Sequence, residues 1–126
     1  MNPLPAPRPR VTSKGWTYYP RTYKQWREQA AALFPEVLAE LGLEEPLDGA
    51  LAVSVDFVVT QPKKTKLPFP KPDLDNYLKG LLDVGTAAGV WIDDHRIVHL
   101  EASKRWAPPG EPGYINMIVK RLAPWA

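Results

Sequence analysis

The sequence contains no cysteine, which excludes a disulfide framework and any thiolate metal site. It has no run of about 18 apolar residues, so no ordinary membrane-crossing helix is expected, and its first residues lack the apolar core of a secretory leader. No internal repeat is visible. These absences predict a soluble, cytoplasmic protein with no membrane association. What is abundant instead is proline, fifteen among 126 residues, gathered at 3–9, 62–72 and 108–112. Proline fixes φ and removes a backbone donor, so these clusters read as an extended arm and two loops. With 44% hydrophobic and 24% charged residues the composition is globular, and this length holds one compact domain, 1–126, around one core.

The formal net charge of +2 conceals segregation: residues 1–30 carry +5, 31–60 carry −6, 61–79 carry +3 and 80–126 carry 0. A basic arm (1–21, with Arg8, Arg10 and Lys14) and a basic loop (61–72, with Lys63, Lys64, Lys66 and Lys71) suit a polyanion, because clustered cations displace counterions from phosphates. The plainer reading is that solvated loops are often lysine-rich.

Along the chain, the arm is expected to end in a short strand or hairpin around Gly15. Tyr23, Trp26, Ala30 and Leu33 then fall at helical spacing behind Thr22, with Pro35 implying either a kinked helix or two abutting ones that end near Gly42. Residues 50–60 alternate, with Leu51, Val53, Val55, Phe57 and Val59 on one face, which predicts a half-buried strand. The stretch 61–72 is a loop. A second helix follows with Leu74, Leu78, Leu81 and Leu82 as its buried stripe, Asp73 or Asp75 at its N-terminus, and Gly85 or Gly89 at its end. Trp91 belongs to the core, and Asp93-Asp94 occupies a turn. Val98, Leu100 and Ala102 form a strand, and Ile115, Met117 and Val119 point inward from another. Those last two strands are expected to pair as an antiparallel hairpin across Pro108–Gly113. The fold class is therefore α/β of the α+β kind: a small mixed sheet with two main helices.

The strongest chemical signal lies between Lys71 and Lys104. Asp75 and Lys79 are four apart on a helix and share one face, while Asp73 at the first turn can aim at the same space. The positive end of the helix dipole favours their ionised form. Carboxylates without His or Cys partners select Mg2+, with Mn2+ plausible, since hard cations prefer oxygen. A third acid is needed, and Asp94 (or its neighbour Asp93) is expected to return to the mouth of the helix on the following strand. Each has a structural alternative: Asp73, Asp75 or Asn76 as a cap, Asp75 with Lys79 as a surface pair, Asp93-Asp94 as a polar turn, and His95 and His99 as exposed strand residues. Trp16, Tyr18, Tyr19 and Trp106 are candidates for stacking on bases or for packing on their own sheet.

The stretch Lys71-Pro-Asp-Leu-Asp-Asn-Tyr-Leu-Lys-Gly-Leu-Leu-Asp-Val-Gly, followed by Gly89-Val-Trp-Ile-Asp-Asp-His-Arg-Ile-Val, resembles the signature of the RusA family of Holliday-junction resolvases, in internal order and in the gap between its blocks. The arm from Pro7 to Pro20 is similar to that of phage-type members. The resemblance implies a bacterial or phage-encoded crossover junction endodeoxyribonuclease acting in DNA recombination and repair. It makes Asp73, Asp75 and Asp94 the metal ligands (Asp93 not excluded) and Lys79 the catalytic lysine. It also implies a homodimer that nicks two opposed strands of a four-way junction, with Mg2+ activating water for in-line attack that leaves a 5′-phosphate and a 3′-hydroxyl. Arg8, Arg10, Lys14, Lys63, Lys64, Lys66, Lys71 and Asn76 are the expected DNA contacts. Two other readings compete: a non-catalytic DNA-binding module, and a metal-dependent enzyme on a nucleotide, whose folds usually need more chain.

Overall fold

The computed structural model describes residues 2–3, 10–11, 17–18, 21–40 and 45–122. In chain order the elements are β1 (Arg10–Val11), β2 (Thr17–Tyr18), α1 (Arg21–Glu40), β3 (Leu51–Val59), α2 (Leu74–Ala87), β4 (Ile97–Trp106) and β5 (Tyr114–Arg121). A single 3-10 turn, Asp94–Arg96, leads into β4. β1 and β2 pair antiparallel, Arg10 opposite Tyr18, as the hairpin expectation for the arm requires. Pro35 lies inside α1 without ending it, so that segment is one helix rather than two.

β3 is the centre of the main sheet. Its alternating Leu51, Val53, Val55, Phe57 and Val59 are all buried, and Val58 on the other face is buried too, a pattern that suits a strand with partners on both edges. β4 runs parallel to β3, from Leu51 opposite Ile97 to Val59 opposite Trp106. β5 runs antiparallel on the other edge, from Leu51 opposite Arg121 to Val58 opposite Tyr114. The order β4-β3-β5 corrects the expected β4-β5 hairpin. The connection 107–113 steps across β3 instead: Ala107 N–H donates to Val59 O at 2.7 Å, and Gly113 N–H donates to Thr60 Oγ1 at 2.9 Å. Seven residues easily span the roughly 10 Å between strands two places apart, whereas a tight hairpin would leave one edge of the most apolar strand uncovered.

Both helices lie on the face formed by Val53, Val55, Phe57, Ile115 and Met117. Against it α2 lays Tyr77 and Leu81, with Leu74 and Leu78 at the flank, and Tyr77 meets Phe57 with ring centroids 5.5 Å apart. The deepest line is thus Tyr77, Leu81 and Val84, at positions i, i+4 and i+7, rather than the all-leucine stripe, whose Leu74, Leu78 and Leu82 are only half-buried. Tyr23, Trp26 and Ala30 of α1 enclose Val84. Asn2 ties the start of the chain to this body, its carbonyl accepting from Trp26 Nε1 and its Oδ1 from Thr60 N–H, both at 2.9 Å.

The C-terminus of α2 closes on itself. Gly89 takes φ +77°, its N–H bonds Thr86 O at 3.2 Å, and Val90 N–H bonds Gly85 O at 3.0 Å, which is a Schellman motif. A Cβ on Gly85 would stand 2.2 Å from Cζ2 of the buried Trp91, so only glycine lets that indole lie against the helix, where its Nε1 donates to Thr86 Oγ1 at 2.9 Å.

Candidate active site

The other end of α2 is built differently. The loop that delivers it is held by three side chains from regular elements, each donating to a backbone carbonyl. Trp106 Nε1 reaches Leu67 O at 2.9 Å, Tyr77 Oη reaches Lys71 O at 2.8 Å, and Lys104 Nζ reaches Pro72 O at 2.6 Å. Burial pushes the Tyr77 hydroxyl pKa upward, which keeps it a donor. The loop backbone is thereby fixed while its side chains stay outside: Lys63, Lys64, Lys66 and Lys71 are exposed, and Phe69 is 58% exposed with the Lys104 ammonium 5.8 Å from its ring centre.

Asp73 occupies the N-cap position of α2 with extended backbone, yet its carboxylate makes no capping hydrogen bond; its carbonyl accepts from Asn76 N–H at 3.1 Å. Asp75 is exposed in the first turn, where the unpaired N–H groups favour negative charge. Asn76 is half-buried, and Lys79 is exposed one turn above Asp75 on the same helix face, with Asp73 at the cap before them.

Asp94 does not join them within one chain. Because β3 and β4 are parallel, α2 runs back along them, and the turn holding Asp93 and Asp94 lies where β4 begins, beside the closed end of the helix. From Ile97 to Lys104, which touches the Asp73 loop, β4 advances about 23 Å. Asp94's neighbours are instead Asp93 and Asp83: a hydrogen bond shared with Asp93, partial burial and the charges of both acids raise its pKa above the usual carboxylate value. Asp93 goes the other way. Its Oδ1 accepts from His95 N–H and approaches His95 Nδ1, each at 3.2 Å, and these bonds lower its pKa. An Arg96–Asp48 ion pair ties the turn to the segment before β3. Among the described residues no three His, Asp or Glu side chains stand close enough to share one ion. The expectation that Asp94 returns to the mouth of α2 is therefore corrected: what β4 brings there is Lys104 and Trp106.

Asp83 was not among the candidates from sequence. Its signal was its place four residues after Lys79 on the same helix face. Of the candidate DNA contacts, Arg8 and Lys14 lie outside the described residues, as do Trp16 and Tyr19, and Arg10 is placed only by its pairing in β1. Trp106 pins the loop and packs on the core instead of standing clear for stacking. His99 is an exposed strand residue, as expected, and His95 is exposed too but stands in the 3-10 turn before the strand.

The donors suit a hard divalent cation. Asp73 and Asp75 supply carboxylate oxygen at a dipole end that would otherwise repel a cation, and magnesium is commonly held by one or two carboxylates while keeping water and substrate phosphate as its remaining ligands.

A family model described as Endodeoxyribonuclease RusA matches residues 1–113. No curated protein matches the chain.

Proposed function

The chain belongs to the RusA endodeoxyribonuclease family, and from that premise we propose that it is a magnesium-dependent, structure-selective endonuclease that resolves four-way DNA junctions by paired symmetric nicks in recombination and repair. The observation that carries this reading is the mouth of α2, where a fixed backbone presents one carboxylate that makes no cap and a second exposed in the first turn, a lysine one turn away and a rim of exposed lysines. Asp73 and Asp75 would hold Mg2+, or Mn2+ in its place, and the ion would supply charge stabilisation to phosphodiester hydrolysis.

The protein's own groups do the rest. Lys63, Lys64, Lys66 and Lys71 hold the sugar–phosphate backbone of the branched DNA against the rim, which fixes register without reading sequence. Lys79 faces the phosphate beside Asp75 and offsets negative charge that builds as the bond breaks. Lys104, Tyr77 and Trp106 keep the approach to Asp73 from moving. No helix of the described residues is long and apolar enough to cross a membrane.

The test is a synthetic mobile four-way junction incubated with the protein, with and without Mg2+, mapping nicks on all four strands. Paired nicks on two opposed strands that require the ion support the reading. Tight junction binding with no cleavage under any divalent ion would leave a DNA-binding module instead.

A further inference from the structure

The face of the sheet that neither helix covers carries its own chain of bonded side chains. It crosses all three strands near the ends of β3 and β4 and the start of β5. Asp56 stands between Ser103 of β4 and Asn116 of β5, and one row further on Val58 stands between Arg105 and Tyr114. Ser103 Oγ donates to Asp56 Oδ1 at 2.8 Å, Arg105 Nε donates to Asp56 Oδ2 at 3.2 Å, and Arg105 Nη2 donates to Tyr114 Oη at 3.1 Å. Both oxygens of Asp56 are thus occupied, and its carboxylate holds the guanidinium in one orientation.

Two donors remain available. Among the described residues Arg105 Nη1 has no partner, and the Tyr114 hydroxyl, which accepts from Arg105, has no acceptor for its own proton. The Arg105 side chain is 54% exposed and Tyr114 is 44% exposed. A held guanidinium beside a phenol O–H is a donor set for an anionic oxygen group, and the arginine fork matches phosphate in particular. Fixing the long side chain beforehand also removes much of the ordering cost of binding.

The position of Arg105 in the chain says where such a phosphate comes from. It lies between Lys104 and Trp106, the two residues that pin the lysine-bearing loop from the opposite face. Duplex DNA carries about one charge per 1.7 Å of axis, so a backbone held on the loop lysines has further phosphates within reach of the other side of one edge strand. A protein partner fits less well, because the middle of this face is the polar row of Asp56, Ser103 and Asn116, where a protein interface has an apolar core.

We propose that Arg105 and Tyr114 form a second phosphate seat, on the sheet face opposite the helices, which takes the sugar–phosphate backbone of a junction arm leaving the lysine rim. This rests on the nuclease reading and deepens it, since it adds a site that binds DNA without cutting it.

The test titrates one four-way junction with wild type and variants at several salt concentrations, and measures single-turnover cleavage at saturating protein. Arg105→Gln should weaken binding by about five- to tenfold and lower the slope of log affinity against log salt by about one, the mark of one lost phosphate contact. Tyr114→Phe loses only a neutral donor, so affinity should fall about two- to threefold with the slope unchanged. Cleavage at saturation should match wild type in both. Should Arg105→Gln melt early, Arg105→Lys takes its place: it keeps the charge and loses the fork, so affinity should fall while the slope holds.

Junction affinity and slope unchanged in these arginine variants overturn the proposal, whatever smaller anion the pair then serves. So does an equal loss in Lys120→Gln, at the other end of the same face, because diffuse charge and not a seat would then be at work. If wild type binds the junction but never cuts it, and Arg105→Gln still lowers the slope, the nuclease reading fails and the seat stands. Normal cutting with affinity and slope unchanged in Arg105→Gln gives the reverse.

Discussion

The two ends of α2 are built from opposite materials. At its C-terminus the loose carbonyls of Gly85 and Thr86 are answered locally: Gly89 turns left-handed, two N–H groups bond back into the last turn, and Trp91 fills the space that Gly85 leaves. At its N-terminus the carboxylate in the capping position is spent on no cap, the acids face solvent, and fixation comes from Lys104, Tyr77 and Trp106 gripping backbone carbonyls from outside. One end spends its chemistry on stability, and the other keeps its chemistry available. A rigid backbone with uncommitted side chains is what a metal-dependent site requires, because ligands must already be in place when ion and substrate arrive.

Substitutions on either side should break or sharpen this contrast. The largest effect on activity is expected at the open end: Lys79→Gln should slow junction cleavage by roughly a hundredfold or more while melting temperature and junction affinity change little, as single-turnover cleavage and gel-shift titration would show. Gly85→Ala should do the converse. The new methyl group meets the Trp91 ring and has nowhere to go, so stability should fall by about 1–3 kcal/mol in denaturant melts, with cleavage per folded molecule unchanged.

Lys104→Met falls between the two. It keeps most of the aliphatic stem but loses the bond to Pro72 O, so a loss of about 1 kcal/mol is expected together with weaker Mg2+ dependence of cleavage, read as a raised half-saturating ion concentration. Should Lys104→Met alter stability alone, the grip on the loop has no bearing on the acids.

The smallest effect concerns pH. Asp94 has its folded-state pKa raised, so the folded chain holds that proton more tightly than the unfolded one, and the resulting stability is present below the unfolded pKa and lost as pH rises through the folded value. Asp94→Asn should therefore raise the ion-free melting temperature slightly at neutral pH, a gain that fades on acidification below the carboxylate range. Asp93, whose pKa is lowered, contributes in the opposite sense, and Asp93→Asn should lose stability at neutral pH.

Local features of this fold were legible from sequence because they depend on neighbours in the chain. Alternation marked β3 residue by residue, the proline and lysine content of 61–72 marked a loop, and the four-residue spacing of Asp75 and Lys79 put both at one helix mouth. What was missed depends on distant partners. The strand order turns on which edge of β3 is covered by which later segment, and alternation is the same for either answer. Lys104 and Trp106 reach loop carbonyls 32 and 39 residues away, with no local pattern to announce it. The direction of α2 against a parallel strand pair decides which end of β4 meets Asp73, and that geometry puts Asp94 at the far end.

The central claim is that the acids at the open end of α2 hold the ion for cutting and are not needed for holding DNA. Asp75→Asn tests it most directly, assayed on one four-way junction for both binding and Mg2+-dependent cleavage. Cleavage should disappear while affinity is kept or tightened, since the change removes a ligand and a charge that repels phosphate. Cleavage at the wild-type rate, or binding lost in step with cleavage, would contradict the account.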